Sequence, residues 1–185
     1  MRAVQTNVNG LDTEALKQTM AAVTENPSAG VCKFQVATSW MGGTQSQTRV
    51  DSVEIGGKQK DREFTIRTDE PCELLGTNRA PNPQEVLMAG LNACMTVGYV
   101  AGCSVRGIEL ESLSIETEGS LDLRGFLGID KNVPPGYEEI RYTVRIKGNG
   151  TPEQFEEIHK TVMATSPNYW NLSRPIRLTP TLVVE

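Results

Sequence analysis

The side chains in this sequence best suited to covalent chemistry are four cysteines, Cys32, Cys72, Cys94 and Cys103. They form no CxxC pair, and the chain has a single histidine, His159. Zinc sites of the cysteine and histidine type are therefore poorly supported, and so is a Ser-His-Asp triad. We expect no metal and no cofactor, and in a reducing compartment the cysteines should be free thiols.

Cys94 lies within the most apolar stretch of the chain, residues 86–101, which is interrupted by the polar residues Asn92 and Thr96. A surface helix would show a polar stripe at a period of 3.6 residues, and this stretch shows none. We therefore expect a helix that is buried on nearly all sides. Its sixteen residues are fewer than the about 20 that a comfortable membrane span requires, so a soluble core is favoured.

The start of this helix is well marked. Asn82 is a suitable N-cap, Pro83 fits the first helical position, and Glu85 stands three residues after the cap. Gly90 and Gly98 lie inside the helix, where they would let another element approach closely. A cysteine in such a helix is often only a small hydrophobic residue, which is the structural alternative to a reactive thiol.

Composition excludes several classes of protein. The formal net charge is −5 and the basic residues are scattered, so there is no electrostatic footprint for nucleic acid and no polybasic patch for a membrane. The first ten residues lack the apolar stretch of a signal peptide, so we expect a cytoplasmic protein. The length suits one domain, residues 31–185, preceded by an N-terminal helical extension, residues 1–30.

Residues 11–25 have apolar side chains near helical spacing, which predicts a short amphipathic helix that ends at Asn26-Pro27. Three segments rich in β-forming residues follow, separated by glycine pairs, at residues 31–40, 48–55 and 62–67. Short strands joined by glycine turns predict an antiparallel meander. Residues 68–81 should form a loop that leads into the central helix.

The sequence of the second half of the chain predicts a strand, a loop, a strand, a helix and a final strand. Residues 108–119 read as extended, residues 121–135 as a surface loop or strand excursion, and residues 139–147 as a strand with one apolar face. Thr151 and Gln154 form a second capping box before a helix that Ser166-Pro167 ends. Residues 176–184 should close the chain as a strand. The fold class is α+β, and the apolar central helix predicts a homodimer in which two copies of it pack together.

Three runs carry a resemblance to a known family: TDEP…LLG…APNPQEVLMAGLNAC, then EGSLDLRGFLGID…PGYEEIRYTVRI, then SPNYWNL. They resemble the OsmC/Ohr family of osmotically inducible and organic hydroperoxide resistance proteins, over about residues 37–185. The resemblance implies an intertwined α+β homodimer with two central helices at its centre. It also implies thiol peroxidase chemistry, in which a helix cysteine attacks the peroxide, a second cysteine resolves the product, and an Arg and a Glu hold the thiolate.

Transferred residue by residue, the resemblance places Cys94 at the peroxidatic position. The resolving cysteine falls on Ser166, and a hydroxyl cannot close a disulfide. The expected glutamate aligns with Gln84, with Glu85 one position away, and the nearest candidate for the arginine is Arg49.

Another cysteine could still resolve Cys94. Cys103 lies nine residues further on, which is about 13 Å along a continuous helix, whereas the Cα atoms of a disulfide lie within about 7 Å. Cys72, in the loop before the helix, is the better candidate, although loop cysteines are more often merely exposed thiols.

Three functions stay open from the sequence. The first is a one-Cys thiol peroxidase, in which Cys94 reduces an organic hydroperoxide and an external thiol reduces the sulfenic acid. It requires a cation near the sulfur, with Arg49 or Arg79 as candidates. The second is a dimer that only binds a small hydrophobic ligand, since Tyr169 and Trp170 add bulk near the site. The third is a redox sensor that forms a Cys72–Cys94 crosslink.

Overall fold

The computed structural model describes residues 7–184, and the chain divides into two compact units between Ala89 and Gly90. In chain order the strands are β1 (Asn7–Val8), β2 (Leu11–Asp12), β3 (Cys32–Phe34), β4 (Ala37–Trp40), β5 (Ser46–Ile55), β6 (Lys58–Thr68), β7 (Leu110–Gly119) and β8 (Ile140–Gly148). The helices are α1 (Thr13–Glu25), α2 (Pro83–Ser104), α3 (Leu123–Phe126), α4 (Pro152–Thr165) and α5 (Pro167–Ser173), with 3-10 turns at Pro27–Gly30 and Cys72–Leu74.

The first unit contains a four-stranded antiparallel sheet. β5 lies in its centre and pairs with β3 and β4 on one side and with β6 on the other. The predicted meander is therefore confirmed, except that the first predicted strand is interrupted between Phe34 and Ala37. A register shift between Val50 and Ser52 marks a β-bulge opposite β6.

The predicted N-terminal helix is α1, and it begins two residues later than expected because Leu11 and Asp12 pair with β1. The Asp12 carboxylate then caps the helix by accepting from the backbone N–H groups of Glu14 and Ala15, each at 3.0 Å. The helix ends at Glu25, followed by Asn26 as its C-cap, as predicted.

A buried carboxylate organises the loop before α2. Asp69 is 1% exposed and accepts from Thr44 Oγ1 at 2.7 Å, from the Glu70 N–H at 2.9 Å and from the Arg79 N–H at 3.2 Å. Thr77 donates twice, from its hydroxyl at 2.6 Å and from its N–H at 3.1 Å. The bonds from Thr77 and then Thr44 hold the pKa of Asp69 well below its usual range. The carboxylate therefore fixes the whole loop while remaining ionised.

The capping box predicted at the start of α2 is confirmed. The Asn82 side chain accepts from the Glu85 N–H at 2.8 Å, and the Glu85 carboxylate accepts from the Asn82 N–H at 2.7 Å. From this start the helix runs for 22 residues, longer than the apolar stretch of sixteen, so the argument from length against a membrane span does not hold. By length and composition α2 could cross a membrane, with a mean hydropathy of 1.5, a test that the core helix of a soluble protein also passes.

The prediction that α2 is buried on nearly all sides was wrong for a single chain. Four of its buried side chains are spaced four residues apart on one face, namely Leu91, Met95, Tyr99 and Cys103, and Ser104 is buried at its end. Val97, away from that face, is 68% exposed. The physical reason is that α4 and a two-stranded sheet pack against one side of α2. Among the described residues, no comparable layer covers the other side.

The second unit packs α2 and α4 on the antiparallel pair of β7 and β8. The alternation predicted for β8 is confirmed, because its half-buried and exposed residues alternate along the whole strand. Asn92 ties α2 to β7 by donating to the Ile115 carbonyl at 3.2 Å and accepting from the Thr117 hydroxyl at 2.6 Å. The second capping box, Thr151 with Gln154, is present at the start of α4.

Two predictions for this half were wrong or incomplete. Residues 176–184 form no strand within the described part of the chain, because a strand needs a hydrogen-bonded neighbour and this extended segment is given none. The predicted loop at residues 121–135 contains the short helix α3. Asp122 caps it and pairs with Arg124 at 2.6 Å, and these hydrogen bonds to Arg124 lower the pKa of Asp122.

Candidate functional site

The sulfur of Cys94 lies beside a hydroxyl. The Ser166 Oγ donates to Cys94 Sγ over 3.3 Å, a contact between residues 72 positions apart. Cys94 is half-buried and Ser166 is 5% exposed. The position that the family resemblance assigns to a second thiol is therefore in contact with the predicted peroxidatic thiol, and an oxygen stands where the second sulfur would be.

The fold holds Ser166 firmly in this place. Its N–H donates to the Val162 carbonyl at 2.8 Å and closes α4, while its Oγ accepts from the Tyr169 N–H at 3.4 Å and opens α5. The junction between two helices thus presents the hydroxyl to the sulfur. Because Ser166 both ends one helix and caps the next, its side chain has little freedom to turn away from Cys94.

Glycines in α2 let the neighbouring helices approach, as predicted. A side chain added at Gly98 would lie 3.2 Å from a methyl carbon of Val162 on α4. The Gly90 carbonyl accepts from the Asn168 side chain at 2.7 Å, which fixes α5 against α2. These contacts, one turn on either side of Cys94, set its position relative to Ser166.

A cavity of about 270 Å³ begins one helical turn from Cys94. Leu91, three residues before Cys94, is part of its wall, and residues at i and i+3 are neighbours on a helix surface. The rings of Tyr142 and Tyr169 meet edge to face there, with centroids 6.5 Å apart. The full lining is Leu91, Tyr137, Glu138, Glu139, Ile140, Tyr142, Tyr169, Leu172 and Ser173.

The other titratable groups near α2 have structural partners. The Tyr99 hydroxyl is hydrogen-bonded to His159 Nδ1, and burial raises the pKa of Tyr99 to about 12. Burial also raises the pKa of the fully buried Cys103 thiol, which is consistent with a core role for that residue. His159 is half-buried, and its bond to Tyr99 was missed because 60 residues separate the two.

The other predicted site residues lie in the first unit. Arg49, on β5, is exposed and approaches Asp51 at 3.5 Å. Glu85 uses its carboxylate to cap α2, and Cys72 is an exposed free thiol on a 3-10 turn. Cys94 and Ser166 are the pair that the structure brings together, and the catalytic roles of Arg49, Glu85 and Cys72 stay predictions.

The sequence did not indicate that two arginines of the first unit, Arg67 and Arg79, lie near each other. Arg67 and Arg79 line one cavity of about 330 Å³, and the Arg79 backbone is anchored on Asp69. Arg79 was one of the two predicted candidate cations, with Arg49, and nothing in the sequence gave a reason to group it with Arg67 on β6. Among the described residues, no three His, Cys, Asp or Glu side chains are grouped to hold a metal ion.

Comparison with known proteins is informative at the level of the family and the fold. The family model for OsmC-like proteins matches residues 76–181, which is more than half of the chain. Among curated proteins, none matches the sequence significantly.

Three solved structures illustrate the structural likeness. An OsmC-like protein from Mycoplasma pneumoniae is 17% identical, with 76% of this chain and 87% of that chain covered and a TM-score of 0.60. A protein from Psychrobacter arcticus 273-4, whose name refers to osmotic stress and detoxification, is 14% identical, with coverage of 75% and 87% and a TM-score of 0.56. An organic hydroperoxide resistance protein from Legionella pneumophila is 20% identical, with coverage of 75% and 89% and a TM-score of 0.48. The first two confirm the α+β fold that the resemblance implied.

Proposed function

This chain belongs to the family of OsmC-like proteins, and on that basis we propose that it is a one-Cys thiol peroxidase that reduces organic hydroperoxides with an external thiol. The observation that supports this most directly is the contact between Cys94 Sγ and Ser166 Oγ at 3.3 Å. The thiol lies half-buried in the middle of α2, and it faces the Ser166 hydroxyl at the junction of α4 and α5 instead of a second sulfur.

The chemistry has two stages. In the first, the Cys94 thiolate attacks one oxygen of the hydroperoxide, so that an S–O bond forms and the O–O bond breaks. The leaving alkoxide takes a proton and departs as an alcohol, and the sulfur is oxidised to a sulfenic acid. In the second, an external thiol forms a mixed disulfide with Cys94 and releases water, and a further thiol restores the Cys94 thiol by disulfide exchange.

Ser166 determines which resolving route is open. A serine hydroxyl cannot form a disulfide, so the sulfenic acid of Cys94 has no thiol at this position to react with. The Ser166 hydroxyl can instead donate a hydrogen bond to the sulfur. An external thiol is therefore the simplest resolving group, with Cys72 as the intrachain alternative that stays a prediction.

The mechanism also requires a positive charge near the thiolate, because an apolar surrounding disfavours the charged sulfur. Arg49 and Arg79 are the proposed candidates, from the same chain or from a second copy. Of the two, Arg79 has the more organised surroundings, because its backbone is held by Asp69. Arg49 is exposed and its guanidinium is shared with Asp51.

We also propose that the protein is a cytoplasmic homodimer. Large apolar side chains remain exposed on α2, on the sheet of the first unit and along residues 176–184. Contiguous apolar surface on a soluble protein usually marks an interaction surface. A second copy of the chain is the proposed cover, with no nucleic acid, membrane, metal or cofactor involved.

The test is consumption of cumene hydroperoxide in the presence of excess dithiothreitol. We expect multiple turnovers by the wild-type protein and none above background by Cys94→Ser. Cys32→Ser, which removes an exposed thiol from β3, should retain the wild-type rate. Equal rates for wild type and Cys94→Ser would rule out the proposal.

A second candidate, binding of a small hydrophobic ligand without turnover, is favoured by the aromatic cavity beside Cys94. The rate at which iodoacetamide labels each cysteine separates the two functions. A Cys94 that reacts faster than the exposed Cys32 and Cys72 favours catalysis, and an inert Cys94 favours binding alone. A redox sensor would instead yield a Cys72–Cys94 disulfide on oxidation, which peptide mass spectrometry detects.

A further inference from the structure

The cavity beside Cys94 has walls and a mouth of different chemistry. Its walls are aromatic and aliphatic, from Leu91, Ile140, Leu172 and three tyrosine rings. Its remaining lining includes two carboxylates, Glu138 and Glu139, which are both exposed and directly precede β8. A molecule in this cavity therefore has apolar surface around it and two exposed carboxylates at the solvent side of the lining.

The acidic character extends beyond this cavity. Glu138 and Glu139 also line a neighbouring cavity of about 570 Å³, together with Glu118 and Arg141. Arg141 is the cation of this set. It pairs with Glu139 at 2.5 Å and lies across the strand pair from Glu118. Three carboxylates thus face one guanidinium, and Glu138 makes no ion pair within the described part of the chain.

Two residues of the cavity lining are neighbours of the Cys94 site. Leu91 stands one helical turn before Cys94, and Tyr169 donates its N–H to the Ser166 hydroxyl that contacts the sulfur. A small molecule whose body fills the space between the tyrosine rings would therefore lie near Cys94. The volume of about 270 Å³ suits a body the size of a substituted benzene ring or a short alkyl chain.

We infer that this cavity selects small uncharged aryl or alkyl hydroperoxides and disfavours those that carry a carboxylate. The apolar walls favour an uncharged body because its transfer from water is favourable. The carboxylates at the mouth repel a second carboxylate, by an amount that falls as salt screens the charges. This inference rests on the proposed function, whose substrate class it narrows.

The experiment compares cumene hydroperoxide with its para-carboxylate derivative, using wild-type protein and excess dithiothreitol at low ionic strength. We expect kcat/KM to be at least about fivefold higher for the uncharged substrate, and this ratio to shrink as salt is added. Glu138→Gln should reduce the ratio by about twofold. Glu156→Gln removes the same charge from α4, where the residue lines a different cavity, and should leave the ratio unchanged.

The outcomes separate the two proposals. A ratio near one, or a preference for the carboxylate, overturns the selectivity while the peroxidase function stands. An effect of Glu156→Gln equal to that of Glu138→Gln also overturns it, because the net charge and not the cavity would then be responsible.

If neither substrate is consumed faster than by Cys94→Ser, the peroxidase proposal fails. Selectivity is then measured by NMR titration with cumyl alcohol and its para-carboxylate. Weaker binding of the carboxylate, relieved by Glu138→Gln, supports the charge selection, and equal binding of the two alcohols overturns it.

Discussion

The interactions inside the two units of this chain differ. The second unit has an apolar cluster in which Met95, Cys103 and Ile158 have no exposed surface. In the first unit the described hydrophobic residues that are buried are Val8 and Val53, and the most extensively bonded buried group is the Asp69 carboxylate. One unit thus has an apolar cluster, whereas the other combines a hydrogen-bonded sheet with a loop that is held by one buried carboxylate.

This difference shows where the chain depends on a neighbour. The sheet of the first unit buries Val53 but leaves Phe34 72% exposed and Trp40 77% exposed, so much of its apolar surface is uncovered. The second unit packs one cluster of apolar residues internally and leaves others exposed on α2 and along residues 176–184, whereas the first unit leaves most of its large apolar residues exposed. These exposed apolar side chains therefore support the proposed homodimer.

The largest expected effect comes from the apolar cluster. Ile158→Ala should lower the free energy of unfolding by about 2–5 kcal/mol, because it leaves a cavity between α4 and α2. Urea unfolding followed by circular dichroism measures this change. Met20→Ala, on the exposed face of α1, is the control and should change stability by less than about 0.5 kcal/mol. A loss below about 1 kcal/mol for Ile158→Ala would show that the cluster is not the main support of this unit.

The next effect concerns Asp69. Asp69→Asn should lower the Tm by several degrees at neutral pH, because a neutral amide replaces a carboxylate that accepts five hydrogen bonds. The pKa of Asp69 in the folded protein is well below that of a free aspartate, so this stabilisation is complete at neutral pH and is lost as the pH falls through the acid range toward the folded pKa. The gap in Tm between wild type and variant should therefore narrow in acid.

Differential scanning calorimetry from pH 7 to about pH 2 checks this expectation. Asp61→Asn, at an exposed position of β6, should lack the effect. A gap in Tm that stays constant with pH would mean that the charge of Asp69 is not what holds the loop.

The smallest effect is expected on the exposed sheet. Phe34→Ser should change the free energy of unfolding by less than about 0.5 kcal/mol at concentrations where the chain is monomeric. Sedimentation equilibrium establishes that concentration range, and the same runs show whether the variant weakens self-association. A loss above about 1.5 kcal/mol in the monomer would contradict the contrast between the two units.

Local signals in the sequence were sufficient for much of the fold. The capping boxes at Asn82 and Thr151 and the alternation along β8 depend on neighbours within a few residues, and the structure contains all three. The prediction of a final strand at residues 176–184 was wrong because a strand needs a hydrogen-bonded partner, which the sequence of this segment alone does not specify. Burial of α2 was overestimated because composition shows which side chains are apolar but not how many faces one chain can cover.

The candidate site was only partly predictable. Cys94 stands out in an apolar helix, yet its contact with Ser166 spans 72 residues and was anticipated through the family resemblance alone. Asp69 was missed because its donors come from Thr44, Thr77 and Arg79, which share no motif with it. The acidic mouth of the cavity was also missed, since Glu138 and Glu139 resemble any charged pair before a strand.

The oxygen atom at Ser166 affects how oxidation of this protein can be detected. Because Ser166 cannot form a disulfide with Cys94, oxidation of Cys94 leaves no intrachain crosslink at this position. A non-reducing gel would then show the same mobility before and after the reaction, unless Cys72 forms a disulfide with Cys94. A trapping reagent that recognises sulfenic acids, added while the peroxide is present, is the appropriate observation.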